Sequence, residues 1–210
     1  MNNHYRFLMM PRRTQAEDFE PFLSSEDVNI HRDRIYADCT DKLNISLDGY
    51  EYLHGMTCEQ LLTCGKLPRE SKEDILHYAG GYYAHSVFFS SLLPCVGGIR
   101  SPKGEFLNKI KSEFRSTEGF LYELKNVALS LRGEGFAWVL SDRGGNILMT
   151  ATSCNEVPDL RKYYVLFCID MWEHSYFGRY RDCRHDYIDT IMKLTDFPIV
   201  SERYEQLLGI

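Results

Sequence analysis

The sequence predicts an α+β protein, with a helical first half and a second half that passes from helices to three strands and back to helices. Two patterns carry the prediction. Apolar residues recur every three or four positions up to Leu131, and then come in short near-continuous runs with a hairpin signal between the first two. The chain has 210 residues, 44% of them hydrophobic and 26% charged, which excludes a disordered or low-complexity chain and allows a sizeable core. A formal net charge of −6 excludes a broad basic surface for nucleic acid, and no apolar run approaches the eighteen or so residues that would span a membrane. The seven Cys form no CxxC pair and follow no secretory signal, so they read as reduced thiols of a cytoplasmic protein. The alternative compartment is the mitochondrial matrix, because Arg6, Arg12 and Arg13 stand without an acid in the first sixteen residues.

The first long helix opens at Ser24-Ser25-Glu26-Asp27, a capping pattern, and continues with Val28, His31, Ile35, Cys39 and Leu43 as one inward stripe. The segment from Asp48 to Pro68 is a shorter helical connection with Cys58, Leu61 and Leu62 facing in. Ser71-Lys72-Glu73-Asp74 then caps a second long helix whose inward positions are Ile75, Ala79, Tyr82, His85, Phe89 and Leu92, ended by Pro94. The two helices form a hairpin with a histidine on each inner face. Gly80 and Gly81 lie mid-helix, where each costs about 1 kcal/mol relative to Ala, so another segment approaches closely there or a side chain has to be absent. Pro94 to Pro102 marks the boundary between a domain of residues 1–95 and one of residues 96–210.

In the second domain, Phe106 to Phe114 and Phe120 to Leu131 are helical, and Phe136–Leu140, Ile147–Thr152 and Tyr163–Ile169 are strands. Asp142-Arg143-Gly144-Gly145-Asn146 turns the first strand into the second. Two helices follow, around Tyr187–Leu194 and Glu202–Leu208. The third strand runs into Asp170-Met171-Trp172-Glu173-His174. A carboxylate after so apolar a strand needs a partner, since an isolated buried charge is very costly. A salt bridge, a helix cap or a metal ion would each satisfy it, just as His31 and His85 are each either hydrogen-bonded core residues or ligands.

Five segments resemble the iron/manganese superoxide dismutase family. Glu20-Pro21-Phe22-Leu23-Ser24 with His31 beyond it is similar to that family's first-helix entry, and Ala79-Gly80-Gly81 through His85 to Phe89 is similar to its AGGxxNHxxFW motif. Gly133 to Trp138 resembles GSGWxWL, Asp170 to Tyr176 resembles DVWEHAYY, and Tyr180 to Arg184 resembles YxNxR. The resemblance implies an N-terminal α-helical hairpin domain, a C-terminal α/β domain with a three-stranded antiparallel sheet, and one Mn or Fe ion per subunit bound by His31, His85, Asp170 and His174. It implies dismutation of superoxide to dioxygen and hydrogen peroxide by cycling of that ion between its divalent and trivalent states. It also implies Trp138 and Trp172 as site walls, Arg34 and Arg184 as basic groups at the access funnel, and a homodimer or tetramer in which Glu173 pairs with His174 of the other subunit.

The surroundings of the ligands depart from the family. Cys39 stands where the family has a gateway Tyr, and Ile35 where it often has a His. Phe177 replaces the Tyr that this His would meet across a dimer, and Phe89 and Phe136 replace two further Trp. The iron-type position for the Gln that donates to the metal's solvent is Gly81, and the manganese-type position holds Asn155, so manganese is the favoured metal. Asn is a methylene shorter than Gln, so that bond is expected to be longer or carried by a water, which raises the metal's reduction potential. Cys39 is expected to be oxidised by the peroxide product ahead of the other thiols. The competing reading is a superoxide-dismutase-fold protein without full activity, serving as a structural or interaction subunit.

Overall fold

The computed structural model describes residues 6–94 and 100–210. The first helical arm runs without interruption through α1 (Ser25–Ile30), a π-helical stretch (His31–Tyr36) and α2 (Ala37–Leu47). Ser24 caps it, its hydroxyl accepting from the Asp27 N–H at 3.0 Å. The wider turn of the π-helical stretch adds Tyr36 to the inward stripe, which still includes Cys39 and Leu43. Tyr36 is fully buried and Ile35 only partly so, which corrects the inward position assigned to Ile35. A short helix α3 (Cys58–Leu62) leads to α4 (Lys72–Ser90). Ser71 does not cap α4; its hydroxyl instead bonds the Tyr50 hydroxyl at 2.8 Å. Along α4 the buried face is Ile75, Ala79–Gly81, Ala84, His85 and Phe88, while Tyr82 and Phe89 are half-buried.

The helices α5 (Gly104–Phe114) and α6 (Thr117–Ser130) precede an antiparallel sheet of β1 (Gly135–Asp142), β2 (Ile147–Ser153) and β3 (Tyr163–Asp170), in the order β2-β1-β3. Its register pairs Phe136 with Asp170 and Trp138 with Cys168. Then come α7 (Glu173–Tyr180), which periodicity did not reveal, α8 (Arg184–Leu194) and α9 (Phe197–Leu208). The fold is the expected α+β arrangement. The proposed boundary between residues 1–95 and 96–210 falls at 95–99, outside the described residues.

Two cores flank α4. The smaller lies inside the hairpin, from Leu43, Leu47, Leu61, Ile75 and Ala79. The larger joins Ala84 and Phe88 of α4, and Leu92 just beyond it, to the sheet and the C-terminal helices. The helix thus belongs to both halves, and His85 sits where they meet. The two glycines explain themselves here. A Cβ on Gly80 would stand 1.9 Å from the Asn155 carbonyl oxygen, and one on Gly81 would stand 2.8 Å from the Asn155 amide nitrogen and 2.9 Å from Cys39 Sγ.

Helix propensity alone makes Gly80→Ala stabilising by about 1 kcal/mol. The contact with Asn155 reverses the sign, and we expect a net loss of about 1–3 kcal/mol, as for other overpacked sites. Chemical denaturation of the purified variant measures it; a gain in stability would show that the loop carrying Asn155 yields freely.

Candidate metal centre

Asp170 ends β3 with its side chain completely buried. One carboxylate oxygen, Oδ1, accepts from the Trp172 N–H at 2.9 Å, and its main-chain carbonyl accepts from the Tyr187 hydroxyl at 2.8 Å. Those bonds fix the strand end and aim Oδ2 inward. Oδ2 lies 3.1 Å from His31 Nε2, 3.4 Å from His174 Nε2 and 3.6 Å from His85 Nε2. All four atoms lie within 4.8 Å of one another, and none of them has a hydrogen-bond partner. Four buried lone-pair atoms directed at one point, each unsatisfied by the protein, are what a cation would complete. Three imidazoles and a carboxylate suit a first-row transition ion such as manganese or iron.

The imidazoles are held in ligand-ready form. His85 Nδ1 lies 2.6 Å from the Gly81 carbonyl one turn earlier; a proton on Nδ1 makes that bond and leaves Nε2 bare. Burial lowers the pKa of His31, an effect that Asp170 only partly offsets. Burial, with the charge of His31, lowers that of His85 to about 3. For Asp170, burial pushes upward, but the attraction of His174 and His31 outweighs it and holds the carboxyl below its usual range.

Aromatic rings wall the cluster. Phe89 meets the His31 ring at 4.8 Å, Phe136 the His85 ring at 5.9 Å, and Trp172 stacks on His174 at 5.8 Å. Phe136 reaches His85 because the β1–β3 register sets it beside Asp170. Tyr36 stacks on His85 at 5.6 Å and 14°, its hydroxyl accepting from the Met10 N–H at 3.2 Å. Sequence reasoning missed Tyr36, because the π-helical stretch turns it inward out of the ordinary period. Trp138 stands one layer back, tilted against Phe136 at 5.6 Å and donating to Thr152 Oγ1 at 2.7 Å.

A cleft reaches the cluster between α2, α4 and α7. Arg34, Ile35, Cys39, His77, Asn155 and Trp172 line it, together with His85 and His174. Arg184 lies elsewhere, half-buried, with Nη1 donating to the Leu131 carbonyl at 3.0 Å, so it does not line this cleft. Glu173 is exposed at the start of α7, beside the partly buried His174. Asn155 and Cys39 each have surroundings that the sequence did not suggest. The Asn155 amide nitrogen lies 3.2 Å from His77 Nε2, a partner the sequence did not suggest. Burial, with the charges of Asp38 and Asp170, raises the Cys39 thiol to about 11. It is therefore held as the weakly nucleophilic thiol, which argues against its being oxidised first; among the described residues Cys154 and Cys183 are the exposed thiols.

Residues 102–203 match the family model for the C-terminal domain of iron/manganese superoxide dismutases. The chain as a whole is similar to superoxide dismutases of several bacteria. It is 28% identical to a manganese superoxide dismutase of Thermus thermophilus over 191 residues, covering 90% of this chain and 93% of that protein. A manganese superoxide dismutase of Bacillus anthracis is 28% identical over 91% of each chain. A manganese/iron superoxide dismutase of Staphylococcus aureus is 26% identical over 93% of this chain and 96% of its own.

The buried imidazoles set a pH dependence. His31 and His85 bind protons more weakly folded than unfolded, so the unfolded chain takes up more protons below the ordinary histidine range. Stability of the metal-free protein is then full above about pH 6.5 and falls as the pH drops toward 3. The depressed Asp170 carboxyl adds a further loss once the pH falls below about 3.9, the ordinary Asp value. Urea unfolding between about pH 7.5 and 4.5 tests the histidine part, and His85→Gln should make the decline shallower. A flat profile would contradict buried neutral imidazoles.

Proposed function

We propose that this chain is a superoxide dismutase that converts two superoxide anions to dioxygen and hydrogen peroxide at a single manganese or iron ion held by His31, His85, Asp170 and His174. The observation that carries the reading is the convergence of four buried, otherwise unsatisfied ligand atoms, in a chain whose family relatives bear that activity in their names. The bound ion supplies one-electron chemistry by alternating between its divalent and trivalent states. The chain's own residues fix the donor set, exclude bulk water and guide the anion.

Exclusion of water follows from the rings of Phe89, Phe136, Trp172 and Tyr36 packed on the imidazoles. Guidance falls to Arg34 at the cleft, which has no ion pair among the described residues, whereas Lys42 is neutralised by Asp38 at 2.8 Å. Trp138 supports Phe136 from behind. Manganese is the favoured metal, because Gly81 offers no side chain toward the centre from α4 and the available amide is Asn155 on the sheet side. Assembly is as a homodimer or tetramer, with the exposed Glu173 reaching His174 of the second subunit. The cytoplasm is the favoured compartment. Among the described residues no helix is long and apolar enough to cross a membrane.

The second reading, a metal-holding structural subunit, draws on the Cys39 thiol and on the Asn155 amide being engaged by His77. The two readings separate in one experiment. Protein loaded with manganese or iron should contain one ion per chain and dismutate superoxide, and His174→Ala should lower both metal content and activity, the latter by at least about 100-fold, the upper end of what an outer-shell change costs. One ion per chain with no dismutation under either metal would establish the structural subunit instead.

A further inference from the structure

The loop after β2 lays Asn155 across α4 at the glycine pair, with its amide nitrogen in the gap left by Gly81 and Cys39 on the far side of that gap. One turn earlier on the same face of α4 stands His77, whose Nε2 is 3.2 Å from the same nitrogen. An Asn side chain has a donor end and an acceptor end of nearly equal shape, and a half-turn exchanges them at almost no steric cost. A neighbour therefore has to decide which end occupies the gap.

We propose that His77 is a positioning residue of the metal centre, fixing through Nε2 which end of the Asn155 amide stands in the Gly81 gap. The proposal rests on the metal-centre reading above. With Nε2 bare, His77 accepts from Asn155 and the NH2 group fills the gap. An anion arriving in the cleft that Asn155 shares with His85 and His174 then meets a donor. With both ring nitrogens protonated, His77 can only donate. The amide turns, its carbonyl oxygen takes the place of the nitrogen, and the same anion meets an acceptor.

Several charged and titratable groups surround His77. Glu73 and Tyr78 lie on its own helix, the Tyr78 ring 5.0 Å from the imidazole, and Cys154 and Glu156 flank Asn155 on the loop. Across the cleft stand Asp38, Cys39 and Lys42 of α2. None of them substitutes for Nε2 as the partner of the Asn155 amide.

Two variants test the proposal. His77→Gln places an amide that never ionises near the position of Nε2, and His77→Leu removes the polar atom. In the metal-free protein, the side-chain NH2 resonances of Asn155, assigned through Asn155→Ala, should shift as His77 titrates. They should be insensitive to pH in His77→Gln and displaced at every pH in His77→Leu. In the manganese-loaded protein, His77→Leu should lower kcat about tenfold at unchanged metal content, within the range for groups that orient a metal site from outside. His77→Gln should restore most of that rate. Asn155 resonances that ignore both the titration of His77 and its replacement by Leu would overturn the proposal. The resonance measurement needs no metal, so a wild-type chain that fails to dismutate would refute the enzymatic reading while leaving this one decided on its own data.

Discussion

The structure depends on one buried oxygen, Asp170 Oδ2. A carboxylate with no solvent exposure is a large penalty for a fold of ordinary stability. The neighbouring bonds do not remove it. The Trp172 N–H takes Oδ1 and the Tyr187 hydroxyl takes the main-chain carbonyl, leaving Oδ2 to three imidazoles. Two of these, His31 and His85, are driven by burial toward the neutral state and bring lone pairs more readily than protons. A cluster rich in lone pairs and poor in protons is completed by a cation, and the elements are arranged to deliver it. β3 ends at Asp170, α7 begins three residues later to return His174, and the Gly81 carbonyl orients His85. The β1 register brings Phe136 over the ring. Removing any one of these would leave a buried charge facing unpaired lone pairs.

Much of this arrangement was legible in the sequence, for identifiable reasons. His31 and His85 stand out because each interrupts an apolar helical stripe, and Asp170 because it ends an apolar strand. Those conflicts between residue type and surroundings mark a site before any coordinates exist. The strands declared themselves by a change of period, and Gly80–Gly81 by their cost in a helix. What stayed hidden is equally specific. The π-helical stretch starts at His31 of the cluster and inserts a local change of pitch that no 3.6-residue template anticipates, so Tyr36 was passed over in favour of Ile35. The helix α7 carries polar and aromatic residues in an order set by the site rather than by a core face. His77 could not be found, because an exposed histidine on a polar helix face acquires meaning only when a loop seventy-eight residues away folds onto it.

The departures around the ligands form one packed unit. Gly81, Cys39 and Asn155 meet at a single gap: a side chain at 81 would collide with both the amide nitrogen and the sulfur. The absent side chain on α4, the small thiol on α2 and the short amide on the loop are therefore mutually required. Restoring a large residue at any one of them would displace the other two. This explains in steric terms why the amide reaches this site from the loop and not from the helix. It also explains why Cys39 is shielded: the packing that admits Asn155 buries the sulfur and raises its pKa. A cleft-wall position held by a protonated thiol contributes shape and low polarity more than it contributes acid–base capacity.

Overall charge would suggest that such a site repels its substrate, since the chain is net negative by six. Range decides otherwise. At physiological ionic strength the Debye length is about 8 Å, so charges spread over the molecule are screened from an anion already at the cleft. The local inventory is different in sign. Lys42 and Asp38 cancel as an exposed pair, and the nearby carboxylate of highest consequence, Asp170, lies beneath the imidazoles and is offset by whatever cation the cluster holds. That leaves the guanidinium of Arg34, without an ion pair among the described residues, as the uncompensated charge on the cleft wall. Attraction of a small anion is thus set by one residue's position relative to the opening, and the global acidity of the chain bears on solubility instead.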